Sequence, residues 1–338
     1  MKEARYYKKI GDKLTCYACP HLCSIKENQR GKCRVRKNVK GKLYSMVYGK
    51  PNALHLDPIE KKPLFHFLPG KKALSIGTAG CNQSCKFCQN WRMSQCNEEA
   101  IESMDISPEE VVEEAKRRDI DIIAYTYNEP TVYIEYMQDI AKIAKEEGIK
   151  NVAVTCGLIN EKPLRDTCKF LDAANIDLKY FSNNLYRKIS GGYLNPVLNT
   201  IKTMKEEGVW IEITNLVIPG LNDSNKMIKE MCRWIVKNVG RDVPIHFSRF
   251  HPDYEMLGKP PTPIDKLKKA EKIAREQGIK YVYIGNIPGE KLNTKCNGCG
   301  ELLIDRTVPS MRTKKLDPKK GKCKNCGRKI LGVWSKND

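Results

Sequence analysis

Between residues 73 and 284 apolar runs of strand length alternate with stretches of helical periodicity, and this alternation restricts the chain to a parallel sheet built from β/α units. The spacing predicts strands over 73–78, 121–126, 151–155, 174–179, 209–217, 243–249 and 280–284. Ser107-Pro108-Glu109-Glu110 reads as an N-cap followed by proline and acidic residues, and Gly148, Gly208 and Gly278 each close a charged helical stretch. In such folds the chemistry collects at the carboxyl ends of the strands.

Those ends can be read directly. The second strand runs into Tyr125-Thr126-Tyr127-Asn128-Glu129-Pro130, the third into Thr155-Cys156-Gly157 and the fourth into Asp177-Leu178-Lys179. The fifth contains Glu212 and ends in Asn215 to Asp223, the sixth runs into Ser248-Arg249-Phe250-His251-Pro252, and the seventh ends at Gly285-Asn286. Charged groups beside a buried strand are costly to desolvate alone, so several of these are expected to face a common polar site. Glu129 suits a cationic amine. An ionic anchor is the plain alternative for Asp177 and Lys179.

The first strand leads into Cys81, Cys85 and Cys88. Thiolates spaced C-x₃-C-x₂-C hold three irons of a cubane cluster and leave the fourth iron without a protein ligand, open to a small molecule. A closed zinc site would want four ligands, commonly in C-x₂-C knuckles. The chain has fifteen cysteines, and eleven fall into groups of four, three and four with metal-ligand spacing. That pattern in a reducing compartment means metals instead of disulfides.

Cys16, Cys19, Cys23 and Cys33 form the first group, in a loop-rich segment too small for an apolar core of its own, where metal would act as the staple. Zinc and a second iron-sulfur cluster are both open, with a lean to zinc, and His21 is read as a local hydrogen-bonding residue. Cys296, Cys299, Cys323 and Cys326 form two matched knuckles, each followed by glycine, and read as a structural zinc ribbon. Cys168 and Cys232 lie in helical patterns as small core residues, and Cys156 at a strand end is read as a packed thiol, with donation of a hydrogen atom to a substrate radical as the alternative.

The organisation expected is a Cys-rich metal-binding module over 1–50, a connecting segment over 51–72, a barrel over 73–290 and a zinc-ribbon-like module over 291–338. Proline and glycine punctuate the connecting segment, which is expected to run along the surface; Asp57, Glu60, His55 and His66 either border the substrate site or anchor it. No stretch approaches bilayer length and Met1 is followed by polar, basic residues, so a cytoplasmic protein is expected. The formal charge of +20 falls by roughly five once metal-bound thiolates are counted. The excess suits nucleic acid or an acidic partner, but Lys and Glu interleave through the helices, which favours a solvated surface.

The segment Cys81 to Cys88, with Phe87 before the third cysteine, resembles the radical S-adenosylmethionine enzymes, in which the open iron is chelated by the cofactor's methionine group and the aromatic residue packs near adenine. Over about 73–255 the chain is similar to the pyruvate formate-lyase activating enzymes, which implies a partial (β/α)₆ barrel. Asp57-Pro-Ile-Glu-Lys-Lys-Pro-Leu-Phe-His-Phe, Cys81 to Trp91, Tyr127-Asn-Glu-Pro-Thr131 and the cysteine-rich ends resemble more closely the AmmeMemoRadiSam-system radical SAM enzymes, whose name implies association with Memo-like and AMMECR-like proteins. The resemblance puts Glu129 against the cofactor's amino group, with Tyr127 and Asn128 where the family has two glycines. It makes Asp177, Leu178 and Lys179 a cofactor-binding segment and places His251 near the cofactor. Cys156 stands where the family has asparagine.

What this implies is an enzyme that transfers one electron from a 4Fe-4S cluster to S-adenosylmethionine, giving methionine and a 5′-deoxyadenosyl radical that abstracts hydrogen from a substrate. The electron comes from a ferredoxin- or flavodoxin-like reductant. A partner protein, activated at a glycyl residue or elsewhere, is the first candidate substrate; a small molecule and RNA are the alternatives. A redox or scaffold protein without cofactor cleavage is the non-enzyme alternative.

Overall fold

The computed structural model describes residues 1–11, 13–287, 292–306 and 311–336. Its centre is an eight-stranded sheet of β1 (Pro51–Pro58), β2 (Lys72–Thr78), β3 (Ile122–Tyr125), β4 (Lys150–Thr155), β5 (Ala173–Asp177), β6 (Trp210–Val217), β7 (Ile245–Arg249) and β8 (Val282–Gly285). The strands lie in chain order, β2 to β8 parallel and β1 antiparallel to β2 at one edge. An order without reversal, with right-handed crossovers, puts every crossover helix on the same face. The opposite face is left to line a cavity.

The crossovers are α1 (Pro108–Arg117), α2 (Ile134–Glu146), α3 (Glu161–Cys168), α4 (Leu194–Glu206), α5 (Asn225–Asn238) and α6 (Ile264–Glu276). At the start of α1, Ser107 and Glu110 make the reciprocal capping box that the sequence announces. Every predicted strand forms, with no end displaced by more than two residues. The fourth is shorter than predicted: it ends at Asp177, where Leu178 turns and its carbonyl is taken by Asn215 Nδ2 at 2.7 Å, so Lys179 lies beyond the sheet.

Alternation along the strands sorts the core into two layers. Ile123, Tyr125, Ala153 and Ala174 pack in the main core that also takes in the buried helix faces, whereas Ile122, Ala124, Val152 and Ala173 pack against Ile59, Leu64, Phe67 and Leu68. Residues 51–72 therefore do not run over the surface. They supply edge strand β1 and then a plug inside the sheet, because Leu64, Phe65 and Phe67 have apolar area to bury.

Before β1, two three-stranded antiparallel sheets carry the first cysteine group. Their buried residues Leu14, Ile25, Val35 and Leu43 are continuous with the main core. Arg36 makes a buried, two-pronged ion pair with Glu135 at the start of α2, at 3.1 and 2.6 Å.

The C-terminal strands pack Leu303, Ile304, Leu316, Ile330 and Trp334 against Phe65, Tyr281 and Tyr283. Val333 bonds to the chain at His66 and Leu68, both at 2.8 Å, and Lys336 pairs with Asp121 just ahead of β3. This module closes the end of the sheet opposite the cysteine loop. The expected boundary between 290 and 291 lies outside the described residues. Among the described residues no helix is long and apolar enough to cross a membrane.

Candidate active site

Cys81, Cys85 and Cys88 line a cavity of about 650 Å³ that also takes in the ends of β3, β4, β5, β6, β7 and β8. The cysteine loop is tied down by Asn128, whose Nδ2 donates to the Gly80 carbonyl at 2.6 Å and whose Oδ1 accepts from the Thr78 amide at 3.3 Å. Gln83 N–H points at the Cys81 sulfur at 3.4 Å, and Ser94 Oγ lies 3.2 Å from that of Cys88. Burial pushes the Cys85 thiol up to about 11 and the Cys81 thiol higher, so positive charge from a metal centre is what would hold these sulfurs as thiolates.

Glu129 is only 3% exposed and its carboxylate is fixed by donors on three sides. Thr131 Oγ donates at 2.6 Å, Thr155 Oγ at 2.8 Å and the Cys156 amide at 2.7 Å. The carboxylate thus joins the ends of β3 and β4 while lining the cavity. Lys179 Nζ donates to Asp177 Oδ2 at 2.6 Å and lies 5.7 Å from the centre of the Phe87 ring. Burial opposes its charge, yet Asp177, and the Cys85 and Cys156 sulfurs when ionised, outweigh that and push the ammonium well above its ordinary range. The ionic pair joins the two residues to each other and leaves both at the cavity wall.

Tyr127 stands where the resemblance has glycine, and its backbone keeps a left-handed φ of 70°. A strain of about 1–3 kcal/mol persists only where surroundings enforce it. Here Asn90 Nδ2 holds the Tyr127 carbonyl at 2.7 Å, and the phenol reaches Asp57 Oδ2 at 2.6 Å. Lys62, itself buried, donates to the same carboxylate oxygen at 2.8 Å. Asp57 is therefore held down to about 2: burial works against its ionisation, and the bonds from Lys62 and Tyr127 overcome it.

Of the residues expected at the site, Cys81, Cys85, Phe87, Cys88, Asn128, Glu129, Asp177 and Lys179 line this one cavity. Leu178 is wholly buried and is not among the lining side chains. His251 stands exposed outside the lining and meets Gln89, which does line the cavity, at 2.7 Å. Glu60 accepts from the Gly70 amide, and His66 lies buried far from the cysteines, against Tyr283 and Leu331. Cys156 lines the cavity beside Glu129. Ser248 and Asn286 line it too, at strand ends the sequence marked without assigning them a role, whereas Lys62 and Thr214 were missed: Lys62 follows Glu60 and Lys61 in a charged run that gave no signal of burial.

The Sγ atoms of Cys296, Cys299, Cys323 and Cys326 all lie within 4.8 Å of one another, with separations of 3.6 Å for Cys296 to Cys326 and 3.8 Å for Cys299 to Cys323. Four thiolates about 2.3 Å from one tetrahedral ion stand about 3.8 Å apart. The set fits a single four-coordinate metal ion.

Residues 75–235 match the Radical SAM superfamily. The chain belongs to this superfamily. An uncharacterized protein of Methanocaldococcus jannaschii is 46% identical over 332 residues, covering 98% of this chain and 99% of that one. The pyruvate formate-lyase-activating enzyme of Clostridium pasteurianum is 25% identical over 218 residues, 58% of this chain and 87% of that enzyme. The structure of Streptococcus suis SuiB bound to S-adenosylmethionine overlays with a TM-score of 0.51 at 14% identity, over 68% of this chain and 53% of that one, which marks a shared fold. This radical SAM chain is an enzyme.

The superfamily implies a 4Fe-4S cluster and S-adenosylmethionine, and the cavity suits both. Three thiols share its wall but are not mutually within 4.8 Å, so they suit a polynuclear cluster better than one ion. Two buried polar atoms on the lining, Thr214 Oγ and Gln83 Nε2, have no partner in the protein. Gly77 bears no side chain where a Cβ would come within 2.7 Å of the Thr126 carbonyl, which keeps β2 close to the end of β3.

Proposed function

We propose that the enzyme holds a 4Fe-4S cluster on Cys81, Cys85 and Cys88 and uses S-adenosylmethionine to abstract hydrogen from a partner protein, in the manner of a glycyl-radical activase. The observation that carries this reading is the convergence of the three thiols, the fixed Glu129 carboxylate and the Asp177–Lys179 pair on one cavity. When bound, cluster and cofactor supply one-electron cleavage of the sulfonium to methionine and a 5′-deoxyadenosyl radical. The protein would orient the cofactor and keep water away: of the residues lining the cavity, Phe87 would pack against adenine, Glu129 and Asn128 would serve the amino end, and Asp177 with Lys179 would serve its other polar groups. Leu178 acts by backbone placement and His251 from the rim.

The same proposal covers the organisation: a Cys-rich metal-binding module over 1–50, a partial (β/α)₆ barrel over 73–290 onto which 51–72 packs, and a zinc ribbon from 291. It also assigns the chain to the AmmeMemoRadiSam-system branch, with Memo-like and AMMECR-like partners, a ferredoxin- or flavodoxin-like donor and a place in the cytoplasm. Support for the branch comes from the segment Asp57 to Phe67 and the two cysteine-rich ends. A small-molecule substrate is the second reading, favoured by the Asp57, Lys62 and Tyr127 group on the cavity wall, which would suit a polar ligand.

The test is anaerobic. Reconstituted, reduced protein is given S-adenosylmethionine and clarified host extract, with Cys88→Ala as control; 5′-deoxyadenosine is quantified and the EPR spectrum recorded. A persistent enzyme-dependent glycyl doublet is expected. Wild-type-dependent 5′-deoxyadenosine without the doublet moves the substrate to another protein residue or a small molecule. Equal amounts from wild type and control, with the wild-type cluster reduced, overturn the proposal.

A further inference from the structure

The N-terminal cysteines are not used by the chemistry above, yet they are built as a site. Cys16, Cys19, Cys23 and Cys33 line one cavity together with Ala18, Ile25 and Val132. His21 is not free to complete it through Nε2, which donates to the Asn82 carbonyl at 2.7 Å.

Two observations say what the cavity holds. The first is the spread of the sulfurs. Among the described residues the ribbon cysteines are the group of three or more whose ligand atoms all lie within 4.8 Å of one another, and the N-terminal four do not meet that condition. One tetrahedral ion would draw four thiolates to about 3.8 Å, the separation at which Cys299 and Cys323 of the C-terminal group stand. Cys81, Cys85 and Cys88 likewise fall outside that condition, which is what thiolates on different irons of a cluster would require.

The second is Arg36. Its terminal nitrogens are taken by Glu135, it is 2% exposed, and its Nε has no partner although the residue lines the cysteine cavity. A buried donor left unmet costs about 1–3 kcal/mol. That marks the occupant as anionic with acceptor sulfurs, as any tetrathiolate centre is, so Arg36 supports an occupied site and the sulfur spread alone speaks for a cluster.

We infer that Cys16, Cys19, Cys23 and Cys33 bind a second, multinuclear iron-sulfur cluster in place of zinc. With four protein ligands no iron is open, so its chemistry class is electron transfer. The two centres are close neighbours. Asn82, next to Cys81, lines the N-terminal cavity, and a Cβ on Gly80 would come within 2.5 Å of the Cys33 carbonyl.

The experiment removes the first centre and asks what remains. The Cys81→Ala/Cys85→Ala/Cys88→Ala variant of the full chain is purified and reconstituted without oxygen, then measured for iron, acid-labile sulfide, zinc and its Mössbauer spectrum. Iron and sulfide in equal amounts, at least two of each per chain, are expected, with Mössbauer parameters of a thiolate-bound cluster. The further change Cys19→Ala/Cys23→Ala, in protein whose circular dichroism matches the parent's, should remove them. Two zinc ions per chain with no stoichiometric iron, or iron that survives the Cys19→Ala/Cys23→Ala change, overturn the inference. Neither result depends on cleavage of S-adenosylmethionine, so the reading of the active site stands or falls separately.

Discussion

The carboxylate of Glu129, at the end of β3, accepts the backbone N–H of Cys156, at the end of β4, at 2.7 Å. A side chain and a backbone amide 27 residues apart thus fix the separation of two strand ends, and with it one side of the cavity.

Replacing Glu129 by Ala should cost about 2 kcal/mol of stability, because the Cys156 amide and Thr155 hydroxyl lose a charged acceptor in a buried place. Denaturant unfolding measures that loss. The same variant should form little 5′-deoxyadenosine, whereas Glu129→Gln should recover much of the stability and little of the activity.

Lys179→Met should weaken S-adenosylmethionine binding by about ten- to a hundredfold, the worth of a charge-assisted hydrogen bond. It also strands Asp177, whose paired oxygen sits 2.6 Å from the lysine nitrogen. Equilibrium dialysis of the reconstituted protein gives the affinity. An unchanged value would remove Lys179 from the cofactor site.

Stability should fall as pH drops from about 6.5 toward 4. Burial holds the His66 imidazole down from 6.5 to about 4, against the pull of Glu212 and with some help from Arg306 and His246. In the fold its Nδ1–H donates to the Leu331 carbonyl at 2.9 Å, and Nε2 meets the Tyr283 hydroxyl at 2.7 Å, a neutral arrangement. The unfolded chain binds a proton through this window and the folded chain does not. The contribution is therefore complete above about 6.5, and about 3 kcal/mol is lost by pH 4. Unfolding followed between pH 6.5 and 4.5, above most carboxylate titration, should show a slope that His66→Gln flattens.

With a metal ion bound at Cys296, Cys299, Cys323 and Cys326 as proposed, its removal should loosen the far end of the sheet and spare the site. Cys299 and Cys326 are exposed and open to a chelator. Loss of the ion should free Leu331 and Val333 from the segment at His66 and lower the melting temperature. The visible spectrum of the reconstituted iron-sulfur protein should not change, since this contact lies at the opposite end of the strands.

Much of this was legible because it is local or periodic. Strand-length apolar runs, the Ser107 capping box and the C-x₃-C-x₂-C spacing each speak through a few neighbouring residues. Glu129, Asp177 and Lys179 could be picked out because charge is rare at the end of a buried run. The plug from residue 59 to 68 was misread: proline and glycine signal irregular chain equally well on a surface and in an interior. Lys62 gave little sign of its place, since its partners Asp57 and Tyr127 are set by contact across the sheet.

The order of the β/α units, the three cysteine groups and the chemistry that open iron implies could all be read from the amino-acid order, because these depend on spacing along the chain. Only packing in three dimensions settles which strand ends share a cavity, that Tyr127 keeps a glycine's backbone conformation while reaching Asp57, and that the C-terminal sulfurs gather within reach of one ion. Those are distances between residues remote in sequence. They are fixed by packing and by the cost of leaving buried polar groups unmet, which no local pattern encodes.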